Sequence, residues 1–249
     1  TIHEGIEGYR DESLDACVEL ADGRTIRHEV VSYDDEFGVR MDDVVETDPE
    51  SMAPCAYCGV FRRDILERYA AAFDADKLFT GHNLDDEAQT ALMNILEGDV
   101  RQVAKHFDAS LGPFDERGET DEFVPRAKPL RDVPEKEVAL YCHVRDLPVH
   151  MAECPHASEA YRGEIQSMLH ELEENHPGTR HSIMAGYEEL SGIVADRYRE
   201  DADNSGDEHV ERAEDASVDG SLRECSRCGS KTSREICRKC RLLESIEAA

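Results

Sequence analysis

Four of the nine cysteines lie in CSRCGSKTSREICRKC, as Cys225, Cys228, Cys237 and Cys240: two CxxC pairs with eight residues between them. Two tight turns that each present a pair of thiolates supply the tetrahedral sulfur set a structural zinc ion takes, and Gly229 lets the first turn close. Idle thiols in a frayed tail would leave that spacing unexplained. In so short a module metal binding provides most of the folding free energy, on the order of 10–16 kcal/mol. The segment also reverses the charge of the chain. From Arg223 to Arg241 seven basic residues stand against Glu224 and Glu235, a net +5 in a protein of formal charge −29. A local basic face on an acidic protein suits phosphate contact. Pairing with the acidic stretch just before it is the structural alternative.

A second group is Cys55 and Cys58 in PCAYCG with distant Cys154 in ECPHA. A lone CxxC is open between zinc, redox and iron-sulfur roles. Cys154-Pro155 resembles the Cys-Pro ending of ferredoxin cluster runs, and three cysteines without a fourth would leave one iron free for an external ligand. A packed, inert set is the competing reading. Cys17 and Cys142 are isolated and read as buried apolar fillers.

The third is Gly81-His82-Asn83-Leu84-Asp85-Asp86-Glu87-Ala88-Gln89-Thr90. Structurally, Asn83 can cap a helix, and the three acids suit its positive end. Functionally, the same acids could hold magnesium on a polyphosphate or handle a proton.

The elements that must position these residues alternate. Thr25 to Tyr33 reads as a strand from its β-branched residues and flanking turn signals, and Lys77 to Thr80 as a shorter one. Between them the spacing Val60, Ile65, Leu66, Tyr69, Phe73 predicts a helix from Tyr57 to Phe73. From Leu84 the positions Ala88, Ala91, Leu92, Ile95 and Leu96 continue one helical stripe that Gly98 ends. The acid-rich motif therefore sits at a strand-to-helix junction, where α/β proteins place ligands. Helices are also expected over 134–146, 157–174 and 181–198. Thr1 to Gly5 reads as a strand end running into a loop, so the chain is expected to begin inside a domain. The whole is an α/β body over 1–198, an acidic disordered linker over 199–221 and a zinc ribbon over 222–249. Nine acids and one Arg between 200 and 221 carry the linker reading.

With 249 residues and 39% hydrophobic content, the chain can build one substantial core and a small module. No apolar run suits a membrane span and no secretory signal opens the sequence, which points to a cytoplasmic protein. Nine cysteines in that compartment argue for metal binding over disulfides. A charge of −29 would repel a polyanion in ordinary cytoplasm. A halophile resolves this, because near molar salt the Debye length is only about 3 Å. Only six of the 28 basic residues are Lys, which fits.

Taken together, PCAYCGVFRRDIL, GHNLDDEAQTALMNILEGD, ECPHASEAYR and the terminal CxxC ribbon closely resemble archaeal and eukaryotic tRNA 2-thiolation proteins, PP-loop ATPases that make 2-thiouridine. The resemblance implies a doubly wound parallel sheet of the adenine nucleotide α-hydrolase-like type. It implies that Cys55, Cys58 and Cys154 ligate a 4Fe-4S cluster, that Asp86 is the essential acid, and that Gly81, His82 and Asn83 lie beside ATP with Mg2+. Arg62 falls where relatives place a catalytic basic residue, often Lys; an Arg there would stabilise charge rather than transfer protons. The family's Ser-Gly-Gly-x-Asp-Ser phosphate loop and N-terminal zinc finger are absent from these residues, and Lys231 replaces a frequent Pro. The implied reaction adenylates the C2 oxygen of a tRNA uridine. Sulfur from a ubiquitin-like carrier protein, held at the open iron, then displaces AMP. Homodimers are common in the family. A tRNA cytidine thiolase and a non-catalytic iron-sulfur or zinc module are the rival readings.

Overall fold

A computed structural model describes residues 1–100, 102–104, 124–156, 161–204 and 223–248. The chain divides into two compact units. Unit 1 comprises Thr1–Tyr69, Cys142–Ala160 and Arg212–Ala249; unit 2 comprises Ala70–Tyr141 and Tyr161–Glu211.

Unit 1 begins with β1 (Ile2–His3), which pairs in parallel with β2 (Val31–Ser32) through Ile2 opposite Val31. The helix α1 (Tyr9–Asp22) links them. Two short helices, α2 (Tyr33–Phe37) and α3 (Met41–Thr47), follow, and then the long α4 (Pro54–Ala72). Ser32 caps α2 by accepting the Asp35 N–H at 3.0 Å. The strand expected over 25–33 is therefore only two residues long, and Tyr33 opens a helix instead. Its ring is fully buried in the core with Met41, Val44, Phe61 and Ile65.

Pro54 stands at the first position of α4, where its missing N–H costs nothing. The buried stripe of that helix is Tyr57, Phe61 and Ile65, at i, i+4 and i+8. Of the expected stripe, Ile65 is buried and Val60, Leu66 and Tyr69 pack against the same core; Phe61 was overlooked, and Phe73 lies beyond the helix end, exposed. The ribbon's own helix, α9 (Arg238–Ala248), sends Leu242 into the same core at 0% exposure.

Unit 2 carries a second parallel pair, β3 (Leu78–Phe79) with β4 (Arg126–Ala127), extended by a bridge from Asn83 to Leu130. Its helices are α5 (Leu84–Leu96), α6 (Glu135–Val144, whose last turn passes into unit 1), α7 (Tyr161–Asn175) and α8 (Thr179–Asn204). Leu84, Ala88 and Ala91 of α5 pack against Ile165 and Leu169 of α7 and Met184 and Tyr187 of α8. The stripe expected for α5 is thus the one buried, although its last members, Ile95 and Leu96, stay exposed. The helix α8 continues to Asn204, into the segment expected as linker, because Arg, Glu and Ala there are good helix formers. The rest of that linker, 205–221, and the expected helix start at 157–160 lie outside the described residues. Among the described residues no helix is long and apolar enough to cross a membrane.

Candidate functional site

Two sets of thiols are built differently. In the C-terminal segment an antiparallel pair, β5 (Arg223–Glu224) and β6 (Lys231–Thr232), brackets the first knuckle, and Gly229 turns it at φ 73°. The Sγ atoms of Cys225, Cys228, Cys237 and Cys240 all lie within 4.8 Å of one another. Cys225, Cys237 and Cys240 are buried. Burial pushes the Cys225 thiol up, but the amide N–H groups of Cys237, Cys228 and Arg227 outweigh it and bring it down to about 6. Burial and the neighbouring thiols of Cys228 and Cys237 push Cys240 up. A cation at the centre would relieve that crowding of sulfur charge, so this donor set fits a tetrahedral metal ion.

The basic face expected on this segment is smaller than its composition suggests. Arg238 pairs with Glu50 at 2.6 Å, Lys239 with Asp64 at 2.9 Å, and Arg227 with Glu244. These partners belong to the body and to α9; the acidic stretch from 205 to 221 lies outside the described residues.

The second set lies entirely in unit 1. Cys55 and Cys58 sit in the first turns of α4. Cys58 and Arg62, four residues apart, share one face, and Arg62 Nη2 donates to Cys58 Sγ at 3.3 Å. Cys58 and Cys154 both pack against the unit 1 core. Burial pushes the Cys154 thiol up, and the charge of Cys55 adds to that. Burial likewise raises Cys58 against the pull of Arg62 and Tyr33, with Cys55 again a contributor. All three cysteines thus lie in one unit, two of them against its core.

They do not form a set within 4.8 Å, unlike the ribbon cysteines. Thiolates that bind separate irons of a cluster stand further apart than those sharing one ion, so this spacing does not suit a single tetrahedral cation. Cys55 is exposed, which leaves that side of the set open.

Three further residues organise this site, and none was singled out from sequence. His156 Nε2 meets Asp42 Oδ1 at 2.8 Å, and Asp42 also accepts the Glu7 N–H at 2.9 Å, so the Cys154 loop is tied to α3 and to the loop after β1. Tyr33 donates its hydroxyl to the Cys58 carbonyl at 2.9 Å. Glu4, 1% exposed, pairs with Arg62 at 2.7 Å and with Arg10. Cys17 and Cys142, expected as buried fillers, are only half-buried.

In unit 2 the strand-to-helix junction forms as expected, and Asn83 and Asp86 make a reciprocal capping box at 3.1 Å each way. The three acids part company. Asp85 is 4% exposed, accepts the Glu135 N–H at 2.8 Å and pairs with Arg180 at 3.0 Å. Glu87 is 2% exposed and pairs with Lys128 at 2.7 Å. Asp86 alone keeps substantial exposure, 37% for its side chain, with Arg162 Nη1 3.9 Å away. Arg162 is itself held by Gln89 at 3.0 Å and Thr90 at 3.1 Å. His82 Nδ1 lies 2.9 Å from Thr80 Oγ1, and a Cβ added at Gly81 would meet nothing within 4 Å.

No family model matches the chain. A search of solved structures finds the U34-tRNA thiolase NcsA from Methanococcus maripaludis, with its 4Fe-4S cluster, at TM-score 0.69 and 34% identity, covering 98% of this chain and 68% of that one. Among curated sequences, the cytoplasmic tRNA 2-thiolation protein 1 of Drosophila pseudoobscura pseudoobscura is 35% identical over 99% of this chain, which spans 64% of that protein. The tRNA 2-thiolation protein NcsA of Haloferax volcanii is 68% identical over 100% of this chain, which spans 72% of its length. At that identity and coverage, the chain belongs to the tRNA 2-thiolation protein family.

Proposed function

We propose that this chain is the greater part of an ATP-dependent tRNA sulfurtransferase that makes 2-thiouridine in the cytoplasm. The observation that carries the reading is the gathering of Cys55, Cys58 and Cys154 in one unit, beside Arg62. Relatives named as tRNA 2-thiolation proteins and a solved neighbour that holds a 4Fe-4S cluster support it. A 4Fe-4S cluster with three protein ligands would supply an open Lewis-acidic iron for a sulfur nucleophile.

Unit 2 is assigned the nucleotide stage; a doubly wound sheet of the PP-loop type is proposed for the body, and the parallel sense of two separate strand pairs, β1–β2 in unit 1 and β3–β4 in unit 2, is in keeping with it. ATP with Mg2+ would bind near Gly81, His82 and Asn83. Glycine at 81 leaves the backbone approachable, and Asp86 is the acid of its run still free to face a substrate. Adenylation makes the C2 oxygen of the uridine a good leaving group, and attack by sulfur then expels AMP. Unit 1 is assigned the sulfur stage, with Arg62 offsetting thiolate and substrate charge.

The ribbon, 222–249, is proposed to hold zinc, and the acidic segment 199–221 to link it to the 1–198 body. A ubiquitin-like carrier protein would supply sulfur, tRNA is the substrate, and a homodimer is the proposed assembly. The reading is tested by mass spectrometry of tRNA nucleosides from a strain lacking the gene, complemented with full-length wild-type or Cys154→Ala protein. Wild type should restore 2-thiouridine and the variant should not. Loss of thiolated cytidine with 2-thiouridine intact would overturn the choice of substrate.

A further inference from the structure

The thiols of unit 1 have a second layer around them. Glu4 follows β1 and is 1% exposed, a position in which a lone carboxylate costs several kcal/mol. Two guanidinium groups meet it, Arg10 Nε on Oε2 and Arg62 Nη2 on Oε1 at 2.7 Å. One carboxylate against two guanidinium groups leaves one positive charge over. That charge is delivered to a single place, because the same Arg62 Nη2 lies 3.3 Å from Cys58 Sγ. The Arg62 side chain is 50% exposed, so without Glu4 it would sample many rotamers over the surface. The fully buried Tyr33 places its hydroxyl 3.5 Å from Cys58 Sγ while donating to the Cys58 carbonyl.

A structural account, in which the ions merely tie β1 to α1 and α4, is a weak one. Buried ion pairs contribute little net stability over apolar packing, so stability alone does not account for this one. We propose that Glu4 is a positioning residue that fixes the Arg62 guanidinium as a charge-assisted donor to the Cys58 thiolate, with Tyr33 as a second neighbour of that sulfur. The carboxylate–arginine–thiolate chain then sets how much electron density Cys58 offers to a bound iron-sulfur cluster. This rests on the cluster reading of Cys55, Cys58 and Cys154. Donors to a ligating sulfur draw charge from it and favour the more reduced cluster, so their loss moves the reduction potential downward.

The test uses the full-length protein purified without oxygen, comparing wild type, Glu4→Gln, Arg62→Gln, Arg62→Lys and the Glu4→Gln/Arg62→Gln double variant. The midpoint potential is read by electron paramagnetic resonance during a redox titration, and the melting temperature is measured alongside. Arg62→Gln should shift the potential to more negative values, and the change on Glu4→Gln should be more negative in the wild-type background than in the Arg62→Gln background, where only the loss of a negative charge is left. The double variant should shift it no further than Arg62→Gln alone, since Glu4 acts through Arg62, and Arg62→Lys should restore part of the shift. A Glu4→Gln protein that melts earlier, with the same potential change in both backgrounds, would show a structural role only and overturn the inference. Should Glu4→Gln fail to fold, Arg62→Gln decides, because its half-exposed side chain can be replaced without opening the core; an unshifted potential there overturns it too. An iron-free wild type refutes the cluster reading itself, whereas an iron-loaded wild type with unshifted variants refutes this inference alone.

Discussion

The two sulfur sites of this chain differ in how their donors are gathered. The ribbon takes four thiols from one 16-residue stretch, Cys225 to Cys240, and closes them within 4.8 Å with three of the four buried. Its sulfurs accept backbone N–H groups, Cys237 N to Cys225 Sγ at 3.3 Å and Cys240 N to Cys237 Sγ at 3.5 Å. The unit 1 site takes three thiols from the start of α4 and a distant loop, spaces them more widely, leaves Cys55 exposed and sets a cation beside Cys58. A closed set satisfied by its own backbone suits a metal that holds structure, and an open set with charged side chains around it suits a metal that reacts.

The contrast breaks most visibly by removing a ribbon thiol. Cys237→Ala should abolish zinc binding and unfold the segment from Arg223 to Ala248, a loss on the order of the 10 kcal/mol that structural zinc provides. Limited proteolysis should then cut this segment first, and because Leu242 leaves the unit 1 core the body should melt earlier as well. A ribbon that stays protease-resistant without zinc would mean that packing, not metal, folds it.

A smaller effect is expected at the anchor of the open site. His156→Ala removes the 2.8 Å contact to Asp42 and should cost about 1 kcal/mol. Iron should leave the variant several-fold faster under a chelator, while zinc release stays at the wild-type rate. Equal acceleration of both would mean that the two sites are not independent.

The smallest effect belongs to Glu173, which lies in unit 2 outside both sulfur sets and therefore serves as a control. The amide N–H groups of Arg180 and Gly178 hold its carboxyl below the ordinary glutamate range. A depressed folded-state value stabilises the protein above the ordinary glutamate pKa and loses that contribution as pH falls through the folded value. Glu173→Gln should cost about 0.5 kcal/mol at neutral pH after solvent screening, and nothing in strong acid. Thermal melts of variant and wild type from pH 7 to about 3 check this, and at pH 7 the variant's iron and zinc content should equal the wild type's.

What the sequence disclosed followed from range. The helix at Leu84, the Asn83 cap and the ribbon knuckles depend on neighbours within a few residues, and they formed where expected. Glu4 was invisible because its partner Arg62 lies 58 residues away, and a carboxylate after a strand reads as a loop residue. His156 was passed over beside Cys154 for the same reason, its partner being 114 residues off. The acid run Asp85-Asp86-Glu87 reads as three equivalent charges. Only burial separates them, since Arg180 and Lys128 arrive from elsewhere in the fold to claim the outer two. The strand expected at 25–33 shrank to Val31–Ser32 because pairing with Ile2–His3, rather than local β-propensity, set its length.

Metal content tests the comparison most directly. The full-length protein, purified without oxygen, should be brown, with about four irons per chain bound as one cluster and zinc in the ribbon. Cys55→Ala should be colourless and iron-free with its zinc retained. A colourless wild type that contains zinc alone would contradict the account.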